Sequence, residues 1–237
     1  MTSSPADKND PDNTPAPRPH DHSGLAPGSR LNEMEILRVL AVGGFGIVYL
    51  ARDHSLDRDV AVKEFMPAQL AGRSVGQRVT VRSLADAETF QLGLQSFVNE
   101  AKLLAQFTHP SMVKVYRFWE ANGTGYMVMP YLRGPTLREV RHSMSQPPTE
   151  AWLRSVIDPL LDALSMLHAE GVYHRDIAPD NVLVSGNGVP VLLDFGAARR
   201  LISDRTQSLT AILKPSYAPI EQYAEAKQLR QGPWTDL

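Results

Sequence analysis

Apolar and polar positions alternate in short runs through the first half of this chain, and a helical period takes over only later. Residues 34–42 and 47–53 read as strands on either side of Gly43-Gly44-Phe45-Gly46, and residues 60–65 read as a third. A period of two in the third places Ala61, Lys63 and Phe65 on one face and Val60, Val62 and Glu64 on the other. Residues 113–121 and 124–129 form a further hairpin around Asn122-Gly123, a pair suited to a tight turn. The spacing predicts a helix over 97–107, with Phe97, Ala101 and Leu104 on one stripe. A clearer helix spans 149–169, where Leu153, Val156, Ile157, Leu160, Leu164 and Leu167 recur at helical intervals and Pro159 is placed to kink the axis. Residues 181–184 and 189–193 flank Gly186-Asn187-Gly188 as a last hairpin.

Two stretches fall outside this patterning. Residues 1–29 place Pro5, Pro11, Pro15, Pro17, Pro19 and Pro27 among small polar side chains with a single leucine, too little apolar surface to offset the entropy of ordering. They read as a disordered tail, with order expected from about Leu31. Residues 67–95 carry Arg73, Arg78 and Arg82 with little periodicity; apart from a possible short strand at 79–82 they read as an inserted surface loop.

Composition narrows the class. A chain of 237 residues with a 43% hydrophobic share can build a sizeable core, and a net charge of −2 gives no bias toward nucleic acid. The absence of cysteine excludes a disulfide framework and a thiol nucleophile, and suits a reducing cytoplasm. No apolar run reaches the roughly 18 to 20 residues that span a bilayer, so a cytoplasmic location is expected.

The candidate chemistry gathers at the last hairpin. Folding it back brings Asn181 and Asp194 side by side, an amide and a carboxylate oxygen suited to a hard cation such as magnesium. Asp176, one short loop upstream, faces the same spot as a possible base. Glu100 shares the inward stripe of the helix at 97–107, where a carboxylate is costly unless a cation meets it.

His174-Arg175-Asp176 through Asn181, followed by Asp194-Phe195-Gly196, resembles the catalytic loop and metal-binding motif of eukaryotic-type protein kinases, most closely the bacterial ones, over residues 31–237. The resemblance implies an α+β fold of two lobes: an antiparallel β N-lobe over 30–130 and a mainly helical C-lobe over 131–237 that is incomplete here. It implies ATP and magnesium as cofactors and transfer of the γ-phosphoryl group to Ser or Thr hydroxyls of protein substrates. Asp176 is then the base, Asn181 and Asp194 the metal ligands, and Lys63 paired with Glu100 the grip on the α and β phosphates. Amides of Gly43, Gly44, Phe45 and Gly46 cover those phosphates, with Ala41 where the family's first glycine is usual. Leu40, Val48 and Ala61 above and Leu183 below hold adenine, with Met129, Pro130 and Leu132 as gatekeeper and hinge. Leu104, His174 and Phe195 match a stacked core column. Arg175 sits where kinases grip a phosphorylated residue of the activation segment, which makes Ser208 and Thr210 the expected autophosphorylation positions.

Two departures stand out. Ser/Thr kinases carry lysine two residues after the catalytic aspartate, and here that residue is Ala178; Lys214, where the family has threonine, is expected to deliver the missing ammonium. Pro219-Ile220-Glu221 replaces Ala-Pro-Glu, and Glu221 is expected to lack its downstream arginine. Asp236, at the opening of the family's central helix, would anchor the His-Arg-Asp loop. The chain alone is therefore expected to be a fragment with a poorly folded, inactive lower lobe. Ala178 leaves open a pseudokinase scaffold that binds nucleotide, and the Asp-Asn-Asp logic is shared by small-molecule phosphotransferases.

Overall fold

The structure, a computed structural model, describes residues 24–74, 76–194, 217–222 and 229–237. An antiparallel sheet of six strands builds one lobe: β1 (Arg30–Leu31), β2 (Met34–Val42), β3 (Gly46–Asp53), β4 (Arg58–Phe65), β7 (Arg117–Ala121) and β8 (Thr124–Pro130), in the spatial order β1-β2-β3-β4-β8-β7. The β7–β8 connection is Asn122-Gly123, both at positive φ (53° and 75°), as the sequence predicts for a tight hairpin.

The stretch expected as a surface loop is instead structured. It forms a two-stranded hairpin, β5 (Ala71–Arg73) with β6 (Val79–Val81), and the first half of helix α1 (Ala87–Leu104), which begins ten residues before the predicted start. Leu70, Ala71, Val79, Phe90 and Leu94 all enter the core. Helix α1 lies close on the sheet because Gly125 of β8 has no side chain; a Cβ there would crowd Leu94 and Phe97. Order also starts earlier than Leu31: Leu25 is buried, and its N–H donates to the hydroxyl of Tyr49.

The strand predicted from 113 begins only at Arg117; Val113 instead joins the second lobe, where its N–H donates to the Leu192 carbonyl and Met112 bridges Leu192. That lobe contains α2 (Leu137–Ser143), capped by a reciprocal Thr136–Glu139 pair, and α3 (Glu150–Ala169), capped by Thr149. It also contains the hairpin β9 (Val182–Val184) with β10 (Pro190–Leu192). Of the predicted α3 stripe, Val156, Leu164 and Leu167 are buried, whereas Leu153 and Ile157 are 38% and 45% exposed. Among the described residues no helix is long and apolar enough to cross a membrane.

Candidate active site

A cleft of about 490 Å³ lies between the β2–β3 turn and the start of the β9–β10 hairpin. The turn is closed by Gly43 N–H donating to Gly46 O at 2.9 Å, which engages one of the four amides expected to cover phosphates. Gly46 is needed for packing as well: a Cβ there would collide with the carbonyl oxygen of Glu64 on β4. A Cβ added at Gly44 would meet nothing within 4 Å, while its carbonyl accepts the Ala68 N–H at 3.1 Å. Ala41 and Val48 line the same cleft from above.

Strand pairing of β4 with both β3 and β8 aims Lys63 into the cleft, as the alternation predicts. Its Nζ lies 2.8 Å from Asp194 Oδ1 and 3.7 Å from Glu100 Oε1, so the expected partner is the more distant of two. Glu100 is 4% exposed on the inner face of α1, where this shared ammonium offsets a desolvation that would otherwise expel the carboxylate. The ring of Phe97 lies 5.8 Å from Nζ and bounds the cleft on the helix side.

The hairpin carries the remaining groups. Leu193 N–H donates to Asn181 O at 2.8 Å, extending the β9–β10 pairing so that Asn181 and Asp194 line one cleft. Asn181 Nδ2 donates to the carbonyl of Asp176 at 2.7 Å and to its carboxylate Oδ2 at 2.6 Å. That use of the nitrogen leaves the amide oxygen, with Asp194, as the hard donor set a divalent cation takes. Asp180, which the sequence reading passed over, also lines the cleft and is held in a two-pronged ion pair by Arg138 of α2. The Asp180 hydrogen bonds raise the pKa of that guanidinium.

His174 is fully enclosed. Burial lowers its pKa, so the ring is neutral: Nε2–H donates to Leu193 O at 2.8 Å, and Nδ1 accepts the Asp176 N–H at 3.3 Å. Leu104, expected in the same column, is also buried. Asp236 accepts the N–H groups of His174 at 2.8 Å and Arg175 at 2.5 Å and meets His168 Nε2 at 2.9 Å, so the anchor expected of this residue is present. Glu221, expected to lack a partner, accepts the Thr235 hydroxyl at 2.9 Å.

On the adenine side, Ala61 and Met129 are buried as a pair across β4 and β8, and Pro130 pairs with Val60. Leu40, Leu132 and Leu183 are half-buried, and Leu183 is bridged to Thr136 just past the hinge. Leu40, Ala61, Met129, Pro130, Leu132 and Leu183 do not line the cleft described above, which is the phosphate and metal half of the expected site. Lys214, Phe195, Gly196, Ser208 and Thr210 lie outside the described residues. Ala178 is buried, 3% exposed, directly before the turn that carries Asn181.

A two-lobed fold with an ion-paired lysine, an aspartate held by an asparagine and a further carboxylate on the lysine is the arrangement of phosphoryl-transfer domains, and the family model described as the protein kinase domain matches residues 34–227. The chain belongs to that family. It is 34% identical over 181 residues to the serine/threonine-protein kinase PknB of Mycobacterium leprae, covering 75% of this chain and 26% of the relative. It is 31% identical over 212 residues to the serine/threonine-protein kinase pkn2 of Myxococcus xanthus, covering 86% and 23%. The chain thus spans about a quarter of the length of these curated relatives. Among solved structures it is similar to the apo form of PpkA-294, with a TM-score of 0.82 and 46% identity over 90% of this chain and 74% of that one. The PknI kinase domain of Mycobacterium tuberculosis shares the fold, with a TM-score of 0.57 at 23% identity over 73% of this chain and 62% of that chain.

Proposed function

We propose that the protein is a serine/threonine protein kinase that transfers the γ-phosphoryl group of ATP to hydroxyls of protein substrates and to its own activation segment, acting in the cytoplasm. The observation that carries this reading is the convergence of Lys63, Glu100, Asn181 and Asp194 on one cleft, with Asp176 tied to it by Asn181. Asp176 orients the acceptor hydroxyl and takes its proton, and the Asn181 amide keeps the carboxylate pointing one way. Lys63, steadied by Glu100, grips the α and β phosphates, and the Gly44-Phe45 amides close over them. The Asp194 carboxylate and the Asn181 oxygen would hold magnesium, which would supply charge neutralisation on the transferring group. Adenine packs on Leu40, Val48, Ala61 and Leu183, with Met129, Pro130 and Leu132 at its edge. Lys214 supplies the cation that Ala178 cannot, and phosphorylated Ser208 or Thr210 is met by Arg175.

The test is phosphoryl transfer from labelled ATP by the full-length protein. Asp176→Asn is expected to lower kcat by roughly 10²- to 10⁴-fold while nucleotide affinity holds. Lys214→Ala is expected to cost on the order of 10²- to 10³-fold, again with affinity kept. A wild-type protein that binds nucleotide without transfer would instead make it a scaffold, the outcome Ala178 favours.

A further inference from the structure

The backbone that carries Asp176 is held on every polar group. Arg175 sits in the left-handed region (φ 65°), a conformation a long side chain adopts only when its surroundings enforce it. Its N–H is taken by Asp236, the Asp176 N–H by His174 Nδ1, and the Asp176 carbonyl by Asn181. One acceptor remains in this run, the carbonyl of Arg175, and it receives the amide N–H of Gln222 at 3.1 Å from 47 positions along the chain.

Gln222 is built for that reach. It is 8% exposed at the end of the short 3-10 turn Ile220–Gln222, which is fixed in turn by the Thr235 hydroxyl on the Glu221 carboxylate and by Gln231 Nε2 on the Glu221 carbonyl. The turn Pro233–Asp236 therefore holds the Arg175 N–H directly through Asp236 and its carbonyl indirectly through Gln222.

We propose that Gln222 is a positioning residue for the base, acting through the Arg175 carbonyl; this rests on the kinase reading above. The Arg175–Asp176 peptide plane can rotate by compensating changes in ψ of Arg175 and φ of Asp176. Such a rotation leaves the Asp236 anchor in place but turns the Asp176 N–H off His174 Nδ1, loosening the backbone that presents the Asp176 carboxylate to Asn181. The Gln222 amide opposes it by giving that carbonyl a buried donor in one orientation only.

The test compares three variants of the full-length protein with wild type. Gln222→Met keeps the packing and removes the donor, Gln222→Glu places an acceptor against the carbonyl, and Gln222→Lys restores a donor of similar reach. The first two are expected to lower kcat about tenfold with KM for ATP within twofold, and Gln222→Lys to recover at least half of the wild-type kcat. A kcat for Gln222→Met and Gln222→Glu within twofold of wild type overturns the proposal, as does a loss that Gln222→Lys shares. Should Gln222→Met fail to fold, the Lys and Glu variants alone decide, since they differ in donor against acceptor at similar length. Absence of transfer by wild type overturns the kinase reading itself, and is distinct from every outcome at position 222.

Discussion

His174 makes two hydrogen bonds that only a neutral ring can make together, one donated to Leu193 and one accepted from Asp176. Protonation would set a second N–H against the Asp176 N–H. Burial lowers the pKa of the ring, and the carboxylates of Asp236, Asp176 and Asp194 pull the other way without overcoming it. The unfolded chain titrates near 6.5, so below that pH it binds a proton the native state resists. The stabilisation is fully present above about pH 6.5 and is lost as pH falls toward the folded value. Denaturant titrations between pH 7 and 5 should show stability falling by up to about 1.4 kcal/mol per pH unit from this group, and His174→Phe should flatten that component. The triplet around His174 was readable by its motif; the tautomer was not, because Leu193 lies 19 positions away.

The hairpin β5–β6 shows how an apparently patternless segment becomes part of the scaffold. Arg73 reaches from it to Glu64, whose carboxylate also accepts the hydroxyls of Tyr49 at 2.6 Å and Tyr126 at 2.9 Å. Burial, then the neighbouring carboxylate, raise both phenol pKa values, so both stay protonated donors. Burial alone would lower the pKa of Arg73; Glu64 overrides it and raises it. Glu64 is completely buried and adjoins Lys63, so this ion pair braces the strand that aims the lysine. Arg73→Met strands the carboxylate and is expected to cost about 3–5 kcal/mol in unfolding experiments. Adding Glu64→Gln should recover part of that, since the charge goes while the amide oxygen accepts one hydroxyl and the amide N–H can donate to the other. The early start of α1 could have been read from Phe90, Leu94 and Phe97, which continue the stripe backwards. The destination of Arg73 could not, since no local pattern names a partner across a sheet.

Taken as one body, the molecule places its cleft where the sheet, α1 and the β9–β10 hairpin meet, so a ligand there touches both lobes at once. Magnesium with a non-hydrolysable ATP analogue at 100 times its Kd should raise the unfolding free energy by about 2.7 kcal/mol, read as a thermal shift. Chelating the metal should reverse most of the shift, and Asp194→Asn should remove the dependence on metal while leaving weak nucleotide binding. On α3, Leu153, Ile157 and Leu161 are exposed and do not line this cleft.

Local pattern was sufficient for β2, β3, β4 and β8, the hairpins at Asn122-Gly123 and Gly186-Asn187-Gly188, and α3, because periodicity and turn chemistry act over a few residues, while motif resemblance singled out Lys63, Glu100, Asn181 and Asp194, which line one cleft. Pairings across long loops were not legible: Lys63 with Asp194, Asp180 with Arg138, Glu64 with Arg73, and Gln222 with Arg175 join positions 9 to 131 apart in sequence. Which buried charge meets which counter-charge is settled by packing, since desolvation forces each enclosed polar group to the nearest partner that the folded chain offers.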